Sequence, residues 1–123
     1  MKPECSPFPD YLHLSTKWTD EQKLCMKTTR DFVTSEAIPL IKEAYWAEEF
    51  PKTLISRMGE LGLLGSNLSG YGLPGVDAIS YGLIMKELER GDSGLRSFAS
   101  VQGALSMFSI HQFGSEDQKS YYA

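Results

Sequence analysis

Arg96, Ser97 and Ser100 stand three or four residues apart in the stretch "LRSFAS", so on a helix Arg96 and Ser97 both neighbour Ser100. Glu89 precedes them in "ELERGDSGLRS", across a turn that holds Gly91, Asp92 and Gly94. Residues of these types can hold an anion. The guanidinium offers a planar fork matched to a carboxylate. The hydroxyls offer further donors, and a helix N-terminus adds partial positive charge. Glu89 is placed to orient the arginine or to hold a water. The same location makes Arg96 odd, because the first turns of a helix favour anions over cations. Its partner is either a carboxylate of the protein, Glu89 or Asp92, or an anion from outside. From spacing alone, the surface ion pair is the plainer account.

Two helices must position this set. In "VDAISYGLIMKELER", Asp77 is a cap and Tyr81, Ile84, Met85 and Leu88 form a stripe at helical spacing. Gly91 fits the left-handed position that ends such a helix. Asp92 or Ser93 then caps "GLRSFASVQGALSMFSIHQF". Phe98, Val101, Leu105 and Phe108 mark one face of that helix, and Ser97, Ser100, Ala104 and Met107 a second. Gly114 closes it, and "SEDQ" opens another helix with a Ser115–Gln118 capping box.

Upstream, Thr19 and Gln22 form a capping box for a helix running to about Ala37, with Leu24, Thr28 and Phe32 on one face beside Cys25 and Thr29. Pro39 is expected to end or kink it. "LIKEAYWAEEF" reads as a second helical piece. "PKTLISRMGELGLLG" reads as a third, with Leu54, Ile55, Met58 and Leu61 as its stripe and Gly62 and Gly65 at its end. "SNLSGYGLPG" reads as a linker. Its G-x-G is neither a dinucleotide fingerprint, since no strand precedes it and the third glycine is missing, nor a P-loop, since no G-K-[ST] follows. Pro3, Pro7 and Pro9 make residues 1–17 an irregular arm, whose Phe8, Tyr11, Leu12 and Leu14 are available to pack on the domain.

The chain has 123 residues, enough for one core, and no convincing strand. The expected fold class is all-α, a bundle of about six helices over residues 18–123 with mostly short turns. A net charge of -4 without a clustered basic face excludes a general nucleic-acid binder. No apolar run is long enough to span a membrane, and no metal site is expected. Cys5 and Cys25 read as two free thiols.

From Trp18 onward the chain resembles the N-terminal helical domain of acyl-CoA dehydrogenases. "MGELGLLG", "GYGLPGV", "YGLIMKELERGDSGLRSFASVQGALSM" and "GSEDQKSYY" carry the likeness, in order and at matching spacing. They are especially similar to glutaryl-CoA dehydrogenase, whereas "DYLHL" looks nearer to plant short-chain acyl-CoA oxidases. The resemblance implies α-proton removal by a glutamate, hydride transfer from the β-carbon to FAD, and decarboxylation of the glutaryl product to crotonyl-CoA. It places the substrate's terminal carboxylate on Arg96, with Ser97, Ser100 and Glu89 at the same end and Leu105 in the acyl-pocket wall.

Family members continue into a β-barrel-like middle domain and a second helical domain. Those carry most FAD contacts, the CoA-binding residues and the catalytic glutamate. No glutamate here matches that base; Glu87, Glu89 and Glu116 lie elsewhere. The chain is thus expected to supply one wall of an acyl pocket, with few FAD contacts, and to be inactive alone. Leu63, Leu64 and Met107 are expected to be exposed for want of neighbours. The implied partners are an acyl-CoA, glutaryl-CoA foremost, and an electron-transfer flavoprotein or oxygen as acceptor, in a homotetramer. The implied location is the cytoplasm of a bacterium, or the mitochondrial matrix or peroxisome of a eukaryote. Two other readings stay open: a helical binding module without chemistry, and another acyl-CoA dehydrogenase or oxidase in which Arg96 is structural.

Overall fold

A computed structural model describes residues 10–122, so Cys5, Phe8 and the three arm prolines lie outside the described residues. The described chain is all-α apart from one two-residue hairpin. Its helical segments are α1 (Asp20–Phe32), α2 (Ile38–Ala47), α3 (Thr53–Glu60), α4 (Ala78–Gly91), α5 (Ser93–Ser100), α6 (Phe108–Phe113) and α7 (Glu116–Tyr122). Two π-helical stretches, Val33–Ala37 and Val101–Met107, fuse α1 to α2 and α5 to α6. Among the described residues the seven α segments thus form five continuous rods, in keeping with the expected all-α bundle.

Pro39 accounts for the first fusion. It has no N–H to give, and in a regular α-helix its ring would press on the carbonyl one turn back. The widened turn ahead of it, where the Ile38 N–H reaches the Val33 carbonyl, lets the helix pass through the proline instead of ending there.

Strands β1 (Ser69–Gly70) and β2 (Leu73–Pro74) pair antiparallel, Ser69 opposite Pro74 and Gly70 opposite Leu73. The segment read as a linker is thus a small hairpin. Its tip residue Tyr71 sits at φ 55° and donates its hydroxyl to Glu116, while His111 Nε2 donates to the Ser69 carbonyl at 2.9 Å. Before α1, Leu14–Lys17 forms one 3-10 turn, with Asp10 accepting from the Leu14 and Ser15 N–H groups. Tyr11 and Leu12 do not pack on the domain; they are 84% and 75% exposed.

The caps form as their residue types dictate. Thr19 and Gln22 satisfy each other's backbone N–H. Gln22, buried, also donates to Asp77 at 2.9 Å, and Asp77 caps α4 by accepting from the Ser80 N–H at 2.7 Å. One side chain therefore ties the starts of α1 and α4 together. Gly62, at φ 66°, ends α3 with the Leu63 N–H on the Met58 carbonyl.

The core joins α1, α3, α4 and α5 through Phe32, Val33, Leu54, Met58, Ile84, Leu88 and Leu95. Leu63 and Met107, expected to be exposed, are buried, and Leu64 is half-buried. The apolar surface lies elsewhere. Leu24, Val101, Leu105 and Phe108 are 62%, 50%, 63% and 43% exposed. The long rod instead buries Leu95, Ala99, Gly103 and Met107, a repeat of four. A helix of 3.6 residues per turn drifts off a four-residue repeat, whereas the more slowly wound π stretch keeps it on one face.

Gly91 is not left-handed. It is the last residue of α4, and a Cβ there would lie 2.6 Å from Val33 Cγ1. Close approach of the two rods, rather than a turn, demands glycine at that position.

Candidate functional site: the Glu89–Arg96 corner

The corner is made by the last turn of α4, the extended residue Asp92 and the start of α5. Asp92, not Ser93, caps α5: its Oδ1 accepts from the Leu95 N–H at 3.0 Å. With the turn fixed, Glu89 on α4 faces Ser93 and Arg96 on α5.

Arg96 Nε donates to Glu89 Oε2 at 2.8 Å, and Nη1 makes a long contact to Ser100 Oγ at 3.4 Å. Ser100 Oγ in turn donates to the Ser97 carbonyl at 3.0 Å. Ser93 Oγ donates to the other Glu89 oxygen at 2.5 Å. The Arg96 and Glu89 side chains are 37% and 47% exposed, so solvent and solutes reach both. The hydrogen bond from Arg96, and then that from Ser93, hold the Glu89 carboxyl below its usual range.

Of the residues expected at an anion site, Glu89, Arg96 and Ser100 are thus in direct contact. Ser97 enters through its backbone carbonyl. Leu105 stands apart, more than two turns further along the rod on the exposed apolar face. Arg96 Nη2 makes no hydrogen bond among the described residues. The corner therefore combines an internal ion pair with a free guanidinium nitrogen, a chemistry suited to receiving one more carboxylate.

A second carboxylate lies behind it. Glu87 is fully buried between α4 and α1. Arg30 grips it with two bonds, Nε to Oε2 at 3.1 Å and Nη2 to Oε1 at 2.8 Å. Arg90 Nε adds a third at 2.8 Å, and Arg90 Nη2 reaches Thr34 Oγ1 at 2.8 Å. Burial pushes the Glu87 carboxyl up, but the hydrogen bonds from Arg30 and then Arg90 outweigh it and leave the carboxyl below its ordinary value. Sequence reading missed this cluster. Its signal was there: Glu87 falls on the stripe of Ser80, Ile84 and Leu88, where a charge needs buried partners.

Gly70–Tyr71–Gly72 is a hairpin tip, not the entry to a helix, so it offers no row of N–H groups for a pyrophosphate. The exposed face of Val101, Leu105 and Phe108 suits an apolar neighbour.

The comparisons with known proteins agree with this architecture. Residues 19–123 match the family model described as the acyl-CoA dehydrogenase N-terminal domain. A crystal structure of a glutaryl-CoA dehydrogenase from Mycobacterium smegmatis in complex with FADH2 superposes with a TM-score of 0.87 at 42% identity, covering 90% of this chain and 29% of that one. A probable acyl-CoA dehydrogenase of Bacillus subtilis is 36% identical over 115 residues, 92% of this chain and 19% of that protein. The mitochondrial short-chain specific acyl-CoA dehydrogenase of Bos taurus is 31% identical over 112 residues, 88% of this chain and 26% of the enzyme. The chain thus spans less than a third of the length of these relatives. By the family match over 19–123 and the superposition of its helices, the chain belongs to the acyl-CoA dehydrogenase family, as its N-terminal helical domain.

Proposed function

We propose that this chain forms one wall of the acyl pocket of a flavin-dependent dehydrogenase that takes glutaryl-CoA, with Arg96 receiving the terminal carboxylate of the acyl chain. The observation that carries the reading is the state of Arg96. It is partly exposed, held through Nε by a single Glu89 oxygen and through Nη1 by a long contact to Ser100, and Nη2 has no partner among the described residues. The 42% identity to a glutaryl-CoA dehydrogenase supports the choice of acyl group.

The chain's own part is binding and orientation. A carboxylate arriving at Nη2 makes a charge-assisted hydrogen bond in a setting already fixed by α4 and α5. A neutral acyl chain leaves that nitrogen unpaired, and this difference selects the dicarboxylic substrate. Leu105 and the apolar face beside it line the path of the methylenes. The carboxylate base and the FAD that takes up the hydride belong to parts of a relative-length protein outside these residues. So do the decarboxylation step and the contacts of a homotetramer. The chain by itself is inactive.

The Arg96–Glu89 pair also favours a second reading. An arginine already paired with a surface carboxylate can be purely structural, in a dehydrogenase or oxidase of another acyl-CoA or in a binding module without chemistry. Purifying the complete protein that contains this chain separates the readings. A flavin spectrum and turnover of glutaryl-CoA to crotonyl-CoA support the proposal. A flavin enzyme turning over only monocarboxylic acyl-CoAs, or a colourless protein, contradicts it.

A further inference from the structure

Glu89 and Glu87 sit two residues apart on α4, yet they meet their arginines differently. Glu87 takes Arg30 through both oxygens, the fork arrangement that Arg–carboxylate pairs commonly adopt, and does so while its Oε2 also accepts from Arg90. Glu89 gives Arg96 only Oε2, and its Oε1 is turned to the Ser93 hydroxyl, 2.5 Å away at the start of α5. Ser93 is free for this task because Asp92 has taken over the capping of α5. Ser93 and Arg96 lie three apart on α5, so both side chains reach Glu89 from the same side.

Resting on the glutaryl-CoA reading, we propose that Ser93 is a positioning residue. By turning Oε1 of Glu89 toward the start of α5, it fixes the carboxylate in an orientation that meets Arg96 through Oε2 alone, and so keeps a guanidinium edge open for the substrate's carboxylate. Without the hydroxyl, Glu89 turns and pairs with Arg96 as Glu87 pairs with Arg30. The arginine is then neutralised from within, and a dicarboxylic acyl chain must displace an internal competitor. A monocarboxylic chain never uses that edge and is indifferent to the change.

The test uses the complete enzyme and measures kcat and KM separately for glutaryl-CoA and butyryl-CoA. Ser93→Ala is expected to raise KM for glutaryl-CoA about tenfold, the scale of one charge-assisted hydrogen bond, with butyryl-CoA kinetics unchanged. Ser93→Thr, which keeps the hydroxyl, restores the wild-type values. In a Glu89→Gln background no Glu89 carboxylate remains to close on Arg96, so Ser93→Ala adds nothing; if Ser93→Ala folds poorly, Ser93→Cys, which keeps the size and weakens the donor, takes its place in the cycle. An unchanged KM for glutaryl-CoA, or an equal rise for both substrates, overturns the role of Ser93. Arg96→Ala separates the two levels. If it removes the glutaryl preference and Ser93→Ala does not, only the inference about Ser93 fails. If Arg96→Ala leaves the preference intact, the acyl-pocket reading fails and takes this inference with it.

Discussion

Arg96 meets Glu89 through one nitrogen and one oxygen, 2.8 Å apart, across the turn between α4 and α5. Two residues earlier on α4, Glu87 is enclosed by Arg30 and Arg90 and fully buried. The same short stretch thus carries a structural carboxylate facing inward and a second one facing the solvent beside an arginine with a nitrogen to spare. The two should respond to substitution in opposite ways, one in stability and the other in substrate choice.

Arg30→Ala strips two of three hydrogen bonds from a buried carboxylate. Breaking such a pair from one side costs on the order of 3 kcal/mol. A urea or thermal melt of the domain should show a loss of that size, whereas Arg96→Ala, at the exposed corner, should leave the melt nearly unchanged.

Glu87 also sets an acid limit. Its folded carboxyl lies below the ordinary value of 4.5. Its contribution to stability is therefore complete above that value and is lost as pH falls through the lowered one. Stability measured from pH 6 downward should decline below about pH 4.5, as expected for a depressed carboxyl. Glu87→Gln should be less stable at neutral pH and should show a shallower decline.

Gly91→Ala puts a methyl group 2.6 Å from Val33 Cγ1. Overpacking of this kind costs about 1–3 kcal/mol. Val33→Ala in the same molecule should recover part of that loss, as a double-mutant cycle can measure. Additive losses would mean that the two rods do not meet at this contact.

Ser66→Ala is expected to leave stability unchanged or to raise it slightly. The Ser66 hydroxyl is buried and has no hydrogen-bond partner among the described residues. Removing an unsatisfied buried hydroxyl removes a desolvation cost without breaking a bond. A clear drop in the melting temperature would show that the hydroxyl has a partner in solution.

Local chemistry made much of this architecture legible in the sequence. Thr19 with Gln22, Asp77, and Ser115 with Gln118 announce helix starts because their side chains can satisfy the first free N–H groups, and each does so. The stripe of Leu54 and Met58, and that of Ile84 and Leu88, face the core as their spacing demands. What escaped was set by tertiary packing. The π stretches depend on Pro39 and on the four-residue repeat ending at Met107, which only the folded neighbours reveal as buried. Gly91 resembled a helix terminator because glycine usually is one; the side chain of Val33, far away in sequence, is the actual cause. At the corner, Arg96 and Ser100 could be grouped by helical spacing, and Glu89 by its place just across the turn. Ser93 could not be assigned, because its role depends on Asp92 having already taken the cap.

The most direct test of the account is the ratio of kcat/KM for glutaryl-CoA over butyryl-CoA in the complete enzyme and in its Arg96→Ala variant. If Arg96 receives the substrate's carboxylate, the ratio should fall by about a hundredfold or more, the scale on which a site built for a polar group rejects a mismatch, with butyryl-CoA turnover and the melting temperature preserved. An unchanged ratio would contradict the account and leave Arg96 as the partner of Glu89 alone.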